Sequence, residues 1–282
     1  MGYRTLITPT ELMALQGRQP LVIIDCGFDL ADEAAGRRAY AAGHLSGAVY
    51  AHLADDLAGR STGRNGRHPL PERERFAATV GAWGVAPGVQ VVCYDAQGGP
   101  YAARAWWLLR WLGHADVAVL DGGLQAWRSA GGTTDVQTPS PRAEGPYLAA
   151  GAPAMPTIDA DTVLAQLGRL CIVDARAGER FRGEAEPLDA VAGHIPGARN
   201  RFFKDNLQAD GRFKPVQQLQ AEFAQLGIGA TNGTPVVQQC GSGVTACHNL
   251  LAMAHAGLGD TLLYPGSWSE WCADPTRPIA KG

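Results

Sequence analysis

The chain repeats itself, which confines it to folds that one pattern can build twice. Leu21 to Gly27 reads L-V-I-I-D-C-G and Leu170 to Arg176 reads L-C-I-V-D-A-R, each a short apolar run ending at an aspartate. Gly43 to Ala48 (G-H-L-S-G-A) returns as Gly193 to Ala198 (G-H-I-P-G-A). Val89 to Tyr94 and Pro235 to Gln239 are again strand-like runs that lead into a loop and a helical pattern. Leu120 to Trp127 and Tyr264 to Trp271 close the two copies. Four landmarks in the same order read as a tandem duplication. The expected organisation is a first domain over 1–135, a linker over 136–156 and a second domain over 157–282. The linker carries Pro139, Pro141, Pro146, Pro153 and Pro156, which remove backbone donors. Short apolar strands alternate with helical patterns over Tyr101 to Leu112 and Val244 to Leu258, so each half is expected to be α/β, a parallel sheet flanked by helices. In the second helix, Val244, Cys247, Leu251, Ala254 and Leu258 predict one apolar face.

Composition removes several classes. At 46% hydrophobic and 18% charged, the 282 residues are too apolar for disorder, yet no apolar run reaches membrane-spanning length. A net charge of -3 offers no basic footprint for nucleic acid. The first residues lack the continuous apolar stretch of a signal peptide. Six scattered cysteines, none in a C-x-x-C pair, argue against zinc or a disulfide scaffold and suit a reducing cytoplasm. No cofactor and no metal is expected.

Ligands of such folds collect beyond the carboxyl ends of the strands. There the second copy has Cys240, followed by Gly241, Ser242, Gly243, Val244 and Thr245. Two glycines in four residues let consecutive N–H groups turn inward, and the next helix adds its positive end. A sulfur at that centre is expected to be a thiolate, the nucleophilic form. The plain alternative is a buried structural cysteine before an ordinary helix. The first copy has Asp95 at the matching position, so only one copy can do sulfur chemistry.

With these residues in view, the chain resembles the rhodanese superfamily, specifically its two-domain sulfurtransferases. The resemblance is carried by Tyr40-x3-His44-Leu45-x-Gly47-Ala48, by Gly266 to Trp271, and by the six-residue loop that Cys240 begins. It implies that Cys240 takes a sulfane sulfur as a persulfide and passes it to cyanide or to a thiol such as thioredoxin or glutathione. It implies an inactive N-terminal copy. The uncharged C-G-S-G-V-T loop resembles the 3-mercaptopyruvate branch, whereas thiosulfate-preferring relatives carry cations after the cysteine; a thiosulfate:cyanide sulfurtransferase is the alternative. Arg180 matches the family's donor-binding arginine. Leu188 stands where a second arginine is expected, so the second anchor is either missing or supplied from elsewhere, with Arg182 or Arg201 as substitutes. His68 resembles a histidine placed in a relay with the loop serine, here Ser242, whose acidic partner would fall near Ala54, Asp55 and Asp56; a histidine capping a turn is the other reading. His44 and His194 recur in both copies and are read as structural.

Two rivals remain. Cysteine phosphatases use C-x5-R, but six residues after Cys240 lies Ala246. A non-catalytic rhodanese-like binding protein is disfavoured by the intact cysteine and glycine loop. No G-x-G-x-x-G or G-K-[ST] loop supports a nucleotide.

Overall fold

A computed structural model of the chain describes residues 2–139, 147, 151–228, 234–259 and 261–282. The first sheet is parallel throughout, in the order Leu6–Ile7, Val117–Leu120, Gln90–Tyr94, Leu21–Asp25, Val49–Tyr50. The second repeats that order as Leu262–Leu263, Val236–Gln239, Cys171–Asp174, Arg199–Asn200. Its counterpart to the outer Leu6–Ile7 strand is a single parallel bridge, Thr157 to Leu263. The central strands are buried along nearly their whole length, as sheets covered on both faces require. On one face of the first sheet, Ile23, Val92, Ala118 and Leu120 pack with Leu12 and Trp127. On one face of the second, Ile172 and Val237 pack with Val163, Trp268 and Trp271.

The chain forms two compact units: Met1–Gly59, Pro71–Ala154 and Ala209–Phe213 in one, Arg60–Leu70, Met155–Gln208 and Lys214–Gly282 in the other. Two short segments therefore lie with the unit opposite to their half of the chain. Arg60–Leu70 is tied into the second unit where Arg67 N donates to Ser269 Oγ at 2.9 Å. Phe213 N donates to Asp121 Oδ1 at 2.8 Å inside the first. The contiguous ranges 1–135 and 157–282 do not allow for this exchange, because irregular segments carry no periodicity that declares their allegiance. Of the expected linker, Pro141 and Pro146 lie outside the described residues, while Tyr147 N and Ala154 N donate to Ala77 O and Trp111 O of the first unit.

The helix after Cys240 runs Ala246–His255, shorter than the apolar pattern over Val244 to Leu258. Instead of one apolar face, every residue from Ala246 to Met253 is buried. It lies between the sheet strand Val236–Gln239 and Val216–Gln225, which leaves little of it to water. Among the described residues, no helix is long and apolar enough to cross a membrane.

Candidate active site

Cys240 follows the central strand Val236–Gln239 directly and is 1% exposed. Its backbone is held by the short helix Ser267–Trp271. Cys240 N donates to Ser267 Oγ at 3.1 Å, Trp268 N donates to Cys240 O at 3.0 Å, and Ser269 N donates to Gly241 O at 2.9 Å. Ser267 reaches this position with φ 53, the one positive φ on a non-glycine among the described residues. That costs about 1–2 kcal/mol and is held in place by a second bond, from Ser267 Oγ to Tyr264 O at 2.9 Å. The Gly266 to Trp271 signature therefore works as a latch on the cysteine, a role that the sequence pattern alone does not reveal.

Gly243 sits at φ 76, and a Cβ there would lie 2.3 Å from Pro265 O. Both conformation and space demand glycine. Gly243→Ala is expected to destabilise the protein by about 1–3 kcal/mol and to slow sulfur transfer, checked by thermal melting and turnover on one preparation. A stable, fully active variant would show that the loop need not hold this turn.

The sister copy shows what such a loop does with an anion. There Asp95 Oδ1 accepts from Gln97 N at 2.9 Å and Gly99 N at 2.8 Å, and Oδ2 from Tyr101 N at 3.0 Å and Ala102 N at 3.1 Å. Burial pushes the Asp95 carboxyl upward and the four amide bonds pull against it. In the second copy, Ser242 and Val244 match Gln97 and Gly99. Their amides, with those of Gly241 and Thr245, donate to no acceptor among the described residues. One loop is filled by its own carboxylate; the other begins with a cysteine and keeps these four donors unspent among the described residues.

His68 Nδ1 lies 2.8 Å from Ser242 Oγ, both buried, so the two predicted partners meet. Asp55 and Asp56 are engaged inside the first unit: Asp55 by His52 and Arg37, Asp56 by His52 N. His44 Nδ1 bonds Tyr40 O at 2.7 Å and His194 Nδ1 bonds Phe181 O at 2.8 Å, each ring stacked on the same aromatic partner. Both histidines are used by the fold.

Arg180 lies beside the loop. A Cβ on Gly241 would be 3.5 Å from its Nη1. Its Nη2 and Nε bind Glu186 at 2.6 and 3.2 Å, and Nη2 also meets Asp189 at 3.2 Å. Behind it, Arg176 pairs with Asp174 and Glu186 at 2.7 and 3.3 Å and sits 4.7 Å above the Trp268 ring. Burial works against the Arg176 charge, but Asp174 and Glu186 outweigh it and raise its pKa. The expected substitutes for Leu188 are elsewhere occupied: Arg182 pairs with Glu184 near solvent, and Arg201 is buried against Asn206 and Glu222. The second cation is Arg67, whose Nη2 would be 3.3 Å from a Cβ on Gly241. Its only signal in the sequence was adjacency to His68. Among the described residues, no group of acidic, histidine and cysteine side chains is placed to hold a metal ion.

Comparison with known proteins places this geometry. The rhodanese-like domain model matches residues 8–130 and 159–274. A Pseudomonas aeruginosa protein named "Probable 3-mercaptopyruvate sulfurtransferase" is 48% identical over 100% of both chains. A Mycobacterium tuberculosis protein named "Putative thiosulfate sulfurtransferase SseB" is 43% identical over 99% of this chain and 98% of its own. The crystal structure of SseA from Escherichia coli, described among 3-mercaptopyruvate sulfotransferases of the rhodanese fold, superposes with a TM-score of 0.81 at 30% identity, covering 94% of this chain and 99% of that one.

Proposed function

The chain belongs to the rhodanese-like family as a tandem sulfurtransferase, and from that premise we propose that it carries a sulfane sulfur on Cys240 between 3-mercaptopyruvate and a nucleophilic acceptor. The observation that carries this reading is the pair of loops: a cysteine followed by amides unspent among the described residues in one, where the other holds a four-times hydrogen-bonded carboxylate.

The Cys240 thiolate attacks the sulfur of mercaptopyruvate. The C–S bond breaks with its electron pair going to carbon, giving a hydrodisulfide on Cys240 and the enolate of pyruvate. The hydrodisulfide proton passes to the enolate carbon, leaving a persulfide anion and pyruvate. His68, held to Ser242, is positioned to ferry that proton. The loop amides stabilise the outer sulfur's charge, as the sister loop's amides do a carboxylate's. A thiolate or cyanide then attacks the outer sulfur, and Cys240 leaves as thiolate. We take thioredoxin, glutathione or cyanide as acceptors and the cytoplasm as the setting, since all six cysteines are unbridged.

Donor choice follows from charge. The loop after Cys240 offers dipoles without a cation of its own, which suits the single carboxylate of mercaptopyruvate better than the two charges of thiosulfate. Thiosulfate is the second reading, favoured by the name of the Mycobacterium relative. Incubation with 3-mercaptopyruvate is expected to add one sulfur atom to the intact mass, removable by cyanide, and kcat/KM is expected to exceed that for thiosulfate. A protein loaded by thiosulfate alone would reverse the donor assignment; one loaded by neither would remove the persulfide.

A further inference from the structure

We propose that Arg67 is a donor-binding residue, and that with Asp189 it sets the charge of the donor the site prefers. This rests on the persulfide reading above and deepens it. Arg67 has a fixed root. Gly66, at φ 87, is pressed so closely on Gly266 that a Cβ would lie 2.8 Å from its oxygen, and Arg67 N is bonded to Ser269 Oγ. From there the guanidinium spends one edge on Asp189: Nη1 meets Oδ1 at 2.7 Å. The other carboxylate oxygen takes Arg180 Nη2 at 3.2 Å, so Asp189 straps the two arginines together.

What they leave unspent converges on one point. Arg67 Nη2 and Arg180 Nη1 have no partner among the described residues, and they approach the Cβ position of Gly241 to 3.3 and 3.5 Å. Arg67 Nε is likewise buried without a partner. Gly241 adjoins Cys240, so two unspent guanidinium nitrogens lie beside the residue that would carry the transferring sulfur. Arginine edges of this kind select planar oxyanions.

The charge of this cluster is balanced before any donor arrives. Arg67, Arg176 and Arg180 face Asp174, Glu186 and Asp189, three cations against three carboxylates. A monoanion leaves the cluster one charge negative, and thiosulfate leaves it two. Asp189→Asn removes one negative charge and should shift preference toward thiosulfate. Arg67→Met removes one positive charge and should shift it toward 3-mercaptopyruvate while raising KM for both. A merely structural role for either residue would lower both donors alike.

The test is kcat/KM for 3-mercaptopyruvate and thiosulfate in the wild type, Arg67→Met, Arg67→Lys and Asp189→Asn, with thermal melts of each. The ratio of the two donors is expected to move in opposite directions in Arg67→Met and Asp189→Asn, by roughly tenfold each, with Arg67→Lys between wild type and Met. Ratios that stay within about twofold of wild type, or move the same way in both variants, would overturn the proposal while wild-type Cys240 still gains sulfur from 3-mercaptopyruvate. A wild type that gains sulfur from neither donor would instead overturn the persulfide reading on which it rests. Should Asp189→Asn not fold, the fall in thiosulfate use relative to 3-mercaptopyruvate in Arg67→Met, with recovery in Arg67→Lys, decides alone.

Discussion

Replacing Cys240 with serine is expected to abolish sulfur transfer, by at least roughly a thousandfold, while leaving the fold intact. Serine is nearly the same size and can keep the backbone bonds to Ser267, Trp268 and Ser269. Its hydroxyl neither ionises at neutral pH nor bonds sulfur reversibly, so the persulfide cannot form. Of the other cysteines, Cys247 Sγ donates to Gly243 O at 3.3 Å. Cys171 and Cys272 in the same unit are held as thiols by burial, which raises both pKa values. Burial and the neighbouring Cys93 do the same to Cys26. Cys171→Ser and Cys272→Ser should therefore retain turnover. The check is turnover together with intact mass after donor treatment. Sulfur on the Cys240→Ser protein, or a few per cent of residual turnover, would move the reaction to another group.

Arg180→Ala is expected to lower kcat/KM for 3-mercaptopyruvate by about ten- to a hundredfold, the value of a lost charge-assisted hydrogen bond at about 1.5–3 kcal/mol. A second cost comes with it. Glu186 is almost fully buried, and without Arg180 its partners among the described residues are Arg176 and the amides of Leu188 and Asp189. Stripping a partner from a buried carboxylate destabilises the fold, so the melting temperature should fall as well. The two effects separate in the kinetics. A lost donor contact raises KM with kcat largely kept at saturating donor, whereas partial unfolding lowers kcat. Unchanged kcat/KM in a folded Arg180→Ala protein would release Arg180 from the donor site.

Much of this molecule could be read without coordinates, for reasons that are local. The apolar runs ending at Asp25 and Asp174 announce strands buried on both faces, and the two sheets share one strand order because the duplicated pattern specifies it twice. Cys240 and its loop were legible because a strand, a glycine pair and a helix adjoin in sequence, so the cradle is built from neighbours. The repeated His44 and His194 could be assigned to the fold because the copy with Asp95 has the same histidine.

What escaped the sequence is what comes from far along the chain. Arg67 reaches Gly241 because Arg60–Leu70 leaves its own half and docks on the Gly266 to Trp271 latch, a choice made by Gly66 fitting against Gly266 rather than by any pattern in residues 60–70. Asp189, beside Leu188, is a buried strap between two arginines that nothing in its own neighbourhood announces. The Val244 to Leu258 pattern suggested one apolar face, yet the helix is enclosed, because enclosure depends on what packs against it and not on its own spacing. Periodicity records what a segment buries; which distant charge meets which is decided only when irregular segments find their places, and those segments have no periodicity to read.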